Sequence, residues 1–215
     1  MLAFLGGTGP EGKGLAVRLA LAGEQIIIGS RDAARAALIA EELIQLAPGT
    51  QIEGAANAEA AARADVVFLT CPYEAQRPLL EPLAKQLAGK ILVNVIAPMV
   101  FERGRGASAI EVDAGSAAQE SQEILPEALV AAAFQNASAE ELQDPKLIME
   151  GDVIICSAHK AATEHVMELA QKIPNLRGVD GGALANSKYV EQITPLLVNI
   201  NRIYKIHAGI KIVGV

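Results

Sequence analysis

The chain has 215 residues, 51% of them apolar, and a formal net charge of −7 at pH 7. A core of domain size is therefore available, while the acidic balance, without any run of Lys or Arg, argues against nucleic acid or an anionic membrane surface as partner. No apolar stretch has the roughly 18 residues that a spanning helix needs, and two cysteines, Cys71 and Cys156, are too few for a disulfide framework and read as buried thiols.

The first apolar run, residues 2–5, enters a glycine cluster and leaves it as a helix with the apolar face Leu15, Leu19 and Ala22. Within the cluster Gly7, Gly9 and Gly12 give G-x-G-x-x-G, the dinucleotide fingerprint, in its strand–turn–helix setting. Gly7 suits the tight turn, Gly9 lets a pyrophosphate approach the backbone, and Gly12 lets the helix pack close to its strand. The free N–H groups opening the helix then face two phosphates. The opening lacks the basic start and cleavage site of a signal peptide, so a cytoplasmic protein is expected.

Residues 25–29 (QIIIG) read as a buried strand, and 32–46 as a helix stopped by Pro48-Gly49. A short edge-like strand at 51–54, a helix at 57–62 and a strong strand at 65–70 follow, the last stopped by Pro72. A helix over 74–87 and a strand over 91–95 complete a βαβαβαβαβ order with short links. That order predicts a doubly wound parallel sheet with helices on both faces. Proline, charges and glycines predict one loop from 97 to 114. A helix at 116–124 with Ser116 as its cap, a strand at 128–134, a helical turn at 139–142 and a strand at 152–157 come next. A helix over 161–172, a last strand over 176–179 and a long helical segment over 182–207, kinked at Pro195, end the chain. The fold class expected is α/β: a Rossmann-type domain over 1–157, with the 97–125 loop and helix, and a small, mainly helical C-terminal part over 158–215 that closes the cofactor cleft. Leu196, Leu197, Ile200 and Ile203 on the last helix serve either that core or a dimer seam.

In NAD-binding units an acidic residue at the end of the second strand holds the ribose 2′-hydroxyl. Here that place reads Gly29-Ser30-Arg31, with Arg35 one helical turn further. Ser30 can donate a hydrogen bond, and two guanidiniums can clamp a 2′-phosphate, so NADP(H) is expected over NAD(H). Asp32 is expected to cap the helix. The fourth strand ends in Thr70, Cys71, Pro72 and Tyr73, and the fifth leads into Ile96, Ala97 and Pro98. Both ends border the place where a nicotinamide would lie. None of the three histidines, His159, His165 and His207, has a companion at metal-ligand spacing, so no metal is expected. No side chain in the expected cleft titrates near neutrality. That predicts hydride transfer by positioning alone, with no catalytic residue.

The opening GGTGPEGKGLAVRLALAG, GSR at 29–31, SAAQE at 116–120, GGALANS at 181–187 and NSKYVEQITPLLVNINR at 186–202 closely resemble the F420H2:NADP oxidoreductase family over essentially the whole chain. The resemblance implies hydride exchange between NADP(H) and the deazaflavin coenzyme F420, stacked in a cleft between a Rossmann domain and a small C-terminal part, in a homodimer. It implies that Thr8, Gly9, Pro10 and Glu11 line the pyrophosphate and that Ser30, Arg31 and Arg35 line the 2′-phosphate. It further implies that Asn94, Ile96, Pro98 and the 134–137 loop, with Gln135 and Asn136, meet the deazaflavin. Gln135 stands where archaeal members of the family carry a histidine. Glutamine can donate a hydrogen bond to a ring oxygen but carries no proton. Related membrane ferric reductases pair such a domain with a flavin. FMN, FAD or a pterin is therefore the alternative acceptor, and a non-catalytic NADP(H)-binding sensor is the alternative outside enzymes.

Overall fold

The computed structural model describes all 215 residues. β1 (Leu2–Leu5) is buried at every residue, as a central strand covered on both faces must be. α1 (Pro10–Leu21) opens on a proline, whose missing N–H costs nothing in the first turn. β2 (Ile26–Ser30), α2 (Ala33–Leu46), β3 (Ile52–Ala56), α3 (Asn57–Arg63) and β4 (Val66–Leu69) follow in the expected order. The single helix expected over 74–87 is instead α4 (Tyr73–Leu80), a 3-10 turn at Glu81–Leu83 and α5 (Ala84–Leu87). Pro78 and Pro82 each remove a backbone donor, which interrupts the helical ladder.

After β5 (Ile91–Asn94), the expected loop turns out to hold an antiparallel hairpin, β6 (Met99–Glu102) and β7 (Gly106–Ala109). Its turn runs through Gly104 and Gly106 at φ +85° and +101°, a region open chiefly to glycine. The glycine density that suggested a loop is what lets the hairpin close. Then come α6 (Ala117–Ile124), capped by Ser116 Oγ accepting from the Gln119 N–H, and β8 (Leu129–Ala132). α7 (Ala139–Gln143), β9 (Gly151–Ser157), α8 (Lys160–Gln171), β10 (Leu176–Asp180), a 3-10 turn at Leu184–Asn186 and α9 (Ser187–Tyr204) complete the chain.

The sheet has eight strands in the order β3-β2-β1-β4-β5-β8-β9-β10. The first six of these are parallel, so the fold is the Rossmann-type doubly wound α/β expected. β9 runs antiparallel to β8, and β10 is parallel to β9. α8 and β10, beyond residue 157, therefore extend the same sheet, and the helical C-terminal region is α9. Strand alternation feeds two cores. Leu2 and Phe4 join residues of α1, α2 and α8 on one face, while Ala3 and Leu5 join residues of α3 to α6 on the other. Register pairs Leu5 with Leu69, Leu69 with Asn94, and Asn94 with Ala132, which brings the carboxyl ends of four strands level.

α9 keeps Pro195 in its interior and ends at Tyr204, short of the expected 207, because Lys205 takes a left-handed conformation (φ 54°). The tail then folds back to the far edge of the sheet, where the Ile210 carbonyl accepts from the Asp152 N–H at 2.7 Å. No helix is long and apolar enough to cross a membrane.

Candidate functional site

A cavity of about 750 Å³ lies beyond the carboxyl ends of β4, β5 and β8, walled on the other side by α9 and the tail. The glycine turn after β1 sits beside it. A side-chain carbon on Gly12 would stand 2.7 Å from both Gly7 Cα and Thr70 Oγ1, so α1 can approach β1 and β4 only with glycine there. The same carbon on Gly9 would meet nothing within 4 Å, leaving the start of α1 open to a ligand. Gly7 is buried, Thr8 and Gly9 are half-buried, and Pro10 is exposed. Asn57 Oδ1 accepts from the Gly6 N–H at 3.3 Å and ties the turn to α3.

Ser30, Arg31 and Arg35 gather at the tip of β2, outside the cavity. Ser30 is buried, with its Oγ accepting from the Asp32 N–H at 3.2 Å. Asp32 caps α2, accepting from the Ala34 and Arg35 N–H groups. Both guanidiniums are on exposed residues, and neither has a carboxylate within ion-pair distance. The tip of β2 is thus a polar, cationic edge next to the glycine turn, whose Gly7 N–H donates to the Gly29 carbonyl at 3.1 Å.

Thr70, Cys71, Pro72, Tyr73, Ile96, Ala97, Gln135, Asn136 and Glu11 all line the cavity. Burial pushes the Cys71 thiol up to about 11. Burial and then the neighbouring Glu120 carboxylate push the Tyr73 phenol up to about 12. Asn94 and Pro98 are not brought there. Asn94 closes β5 pointing away from the cavity and is wholly buried, its Nδ2 donating to Gln76 Oε1 and Ser121 Oγ at 2.9 Å each. Its Oδ1 accepts from the Ile96 N–H at 2.8 Å, so Asn94 shapes the cavity floor through Ile96. Pro98 is buried at the foot of the hairpin, its carbonyl accepting from the Ile110 N–H at 3.0 Å.

The 134–137 loop is positioned by strain. Phe134 is a non-glycine residue at φ 71°, held there by a fully buried ring that packs on Phe68 at 5.9 Å. That turn aims Gln135 and Asn136 at the cavity. Gln135 Nε2 donates to the Asn94 carbonyl at 2.9 Å, and Asn136 Nδ2 donates to the Asp152 carbonyl at 2.8 Å. Each amide oxygen is left buried without a partner. Gln135, a cavity-lining residue, thus has an acceptor free beside the donor already engaged with Asn94. From α9, Thr194 Oγ1 donates to the Gln135 carbonyl at 2.9 Å and fixes the loop from the other side.

Glu11 supplies the third buried side-chain oxygen without a partner, and all three belong to residues lining this cavity. Desolvation pushes the Glu11 carboxyl up to about 8. The expected lack of any group titrating near neutrality is thereby corrected. A carboxylate inside the glycine fingerprint was the available signal, hidden because that position was read only for its backbone. His207 also lines the cavity, from the tail rather than from a helix, with Nδ1 3.3 Å from Ser138 Oγ and Nε2 3.6 Å from Glu140. No group of three or more His, Cys, Asp or Glu side chains is placed to hold a metal ion.

A family described as NADP oxidoreductase, coenzyme F420-dependent, matches residues 1–98. The F420-dependent NADP reductase of Methanothermobacter marburgensis is 42% identical over 217 residues, covering 98% of this chain and 97% of that protein. The chain belongs to the F420-dependent NADP reductase family. The Methanocaldococcus jannaschii member is 38% identical over 95% of this chain and 93% of its own. In structure, a candidate F420-dependent NADP-reductase from Arthrobacter sp. FB24 superposes with a TM-score of 0.83 at 26% identity, covering 98% of both chains. The chain is thus an oxidoreductase of this family, matched from end to end. Its cavity also uses Met99 from the hairpin and Leu197 from α9, together with residues that sequence reasoning did not single out: Asn201 and Arg202 from α9, and Lys205 from the tail. On α9 the cavity residues follow one helical face, which shares only Leu197 with the face expected to serve core or dimer seam.

Proposed function

We propose that this protein binds NADP(H) and passes a hydride between it and the deazaflavin coenzyme F420. The observation carrying the reading is the cavity beyond the carboxyl ends of β4, β5 and β8, with the open glycine turn beside it and Arg31 and Arg35, free of carboxylate partners, at the tip of β2. Full-length similarity to F420-dependent NADP reductases supports the same pair of ligands. The residues fit both groups. The open space at Gly9 and the N–H groups of the first turn of α1 suit a pyrophosphate. Gln135 Oε1 and Asn136 Oδ1 suit the N–H of a pyrimidinedione ring, which flavin and deazaflavin share.

The bound nucleotide and deazaflavin would supply the hydride donor and acceptor chemistry. The protein's part is placement. Arg31 and Arg35 hold the 2′-phosphate end, and Ser30 donates to it. Cys71, Pro72, Ile96 and Ala97 form apolar walls that exclude water from the reacting faces, with the Thr70 hydroxyl and the Tyr73 phenol set among them. Gln135 and Asn136 fix the acceptor ring through its N–H edge, and α9 closes over it. The exposed Tyr189, Leu196 and Ile203 on the outer side of α9 serve as the seam of a homodimer. The decisive measurement is single-turnover oxidation of NADPH deuterated at the transferred position, with F420 and separately with FMN. Fast transfer to F420 with a primary isotope effect is expected. Transfer to FMN alone would move the acceptor to a flavin, and tight NADPH binding without turnover on either would make the protein a sensor.

A further inference from the structure

Glu11 is out of place in a site for a dinucleotide. It occupies the first turn of α1, whose N–H groups would face the pyrophosphate, and its side chain faces the cavity with one oxygen fully buried and unpartnered. No cationic side chain pairs with it, so only the N–H groups opening α1 favour its charge. On α1 itself, Lys13 is paired with Glu42 at 3.0 Å, and Arg18 is turned to the carbonyls of Glu141 and Leu142. α7 brings Glu140 and Glu141. The turn after β4 brings Cys71 and Tyr73, both neutral at physiological pH. Asp32, Arg31 and Arg35 stand at the tip of β2, outside the cavity. Arg202, Lys205 and His207 line the cavity from α9 and the tail, and none is within ion-pair distance of Glu11. A carboxylate left there would confront the phosphates at the same helix start, like charge against like.

We propose that Glu11 must be a neutral carboxylic acid for NADPH to bind, so that the nucleotide and one proton from solvent bind together. The inference rests on the NADP(H) reading above. Burial already holds the Glu11 carboxyl at about 8, so the proton is mostly in place at pH 7 and is lost as pH rises. Bound NADPH holds the proton more tightly still, since ionising Glu11 beside the phosphates would add repulsion to desolvation. The 2′-phosphate, a monoester whose second pKa lies at about 6, is largely ionised by pH 7 and changes little above it.

NADPH affinity, followed by the nucleotide's fluorescence from pH 7 to 9, is expected to weaken about tenfold in the wild type, the factor for one linked group near 8. Glu11→Gln, which keeps the shape and cannot ionise, is expected to hold its affinity within about twofold over that range. Titration calorimetry of the wild type at pH 8.5, in two buffers of different ionisation heat, is expected to show net proton uptake and needs no variant. Tight binding that is independent of pH, an equal loss in Glu11→Gln, or zero proton uptake each overturns the proposal while leaving the nucleotide reading intact. Absence of NADPH binding at every pH overturns both.

Discussion

Arg31 and Arg35 carry exposed guanidiniums with no carboxylate partner, beside a serine that is already ordered by the Asp32 N–H. Exposed cations that face nothing add little to stability, so their worth lies in what they can bind. Arg31→Ala should therefore leave the melting temperature unchanged and weaken NADPH binding by about 1.5–3 kcal/mol, the scale of a charge-assisted hydrogen bond. NADH, which lacks the 2′-phosphate, should bind as before. Equal losses for the two nucleotides would mean that the arginine touches a part they share. Gln135 is read the same way from its geometry. Its Nε2 is bonded to the Asn94 carbonyl and its oxygen is unpaired. Gln135→Ala should raise the acceptor's KM several-fold while the NADPH dissociation constant holds.

At the scale of elements, α9 is bolted to α6 by a buried pair of contacts. Glu191 Oε2 and Oε1 accept from the Ala117 and Ala118 N–H groups at 2.8 and 3.1 Å, and Ser187 Oγ meets Ser116 Oγ at 2.7 Å. Burial outweighs those two N–H donors and pushes Glu191 from its ordinary 4.5 up to about 7. A carboxyl whose folded pKa is raised binds its proton better folded than unfolded. Its contribution is complete below about pH 4.5 and is lost as pH rises through about 7, for a total of roughly 3 kcal/mol. Stability measured by denaturant from pH 4.5 to 7 should therefore fall in the wild type more than in Glu191→Gln. A difference that is constant across that range would show that Glu191 does not titrate there. Glu11 changes stability in the same direction in both proteins and cancels from the comparison. The strands, the Asp32 and Ser116 caps and the glycine turn were legible in the sequence because each rests on local chemistry: apolar runs, a side chain reaching its own helix, a residue without Cβ. Glu191 and the β6–β7 hairpin were not, because each depends on a distant segment. Asn199 on α9 holds the hairpin by exchanging two bonds with Ala107, at 2.9 and 2.8 Å. The aim of Gln135 was hidden for a related reason. It follows from a left-handed Phe134, a conformation that no local preference suggests and that tertiary contacts maintain, the packing of Phe134 on Phe68 and the bond from Thr194 among them.

Across the whole molecule, the two reversed strands at the sheet edge tie the tail to the cavity. Asp152, the second residue of β9, is almost fully buried and pairs with Arg177 of β10 through two bonds of 2.9 and 2.8 Å. Arg177 Nη2 also donates to the Ile212 carbonyl at 2.7 Å, and Asp152 Oδ2 accepts from the Ile212 N–H. The Asp152 carbonyl takes the bond from Asn136. One ion pair therefore fixes both the tail, whose residues 205–208 form a wall of the cavity, and the loop that presents Asn136. The glycine turn after β1 and the tip of β2 share none of these contacts. Arg177→Ala leaves Asp152 unpaired and frees the tail. The cost should be about 1–3 kcal/mol, below the 3–5 typical of a fully buried pair because the Arg177 side chain is 41% exposed. The loss should grow as pH rises, since the paired Asp152 has a lowered pKa whose stabilisation is present above its ordinary 3.8 and lost as pH falls through the lower folded value. Functionally, the acceptor's KM should rise with the freed wall while NADPH binding stays within about twofold, a split that general unfolding cannot produce. Hydrogen exchange should show the same division, with faster exchange at Ile212 and unchanged protection in β1 and α1. Parallel losses for both ligands would place the tail's influence on the fold as a whole rather than on the acceptor end of the cavity.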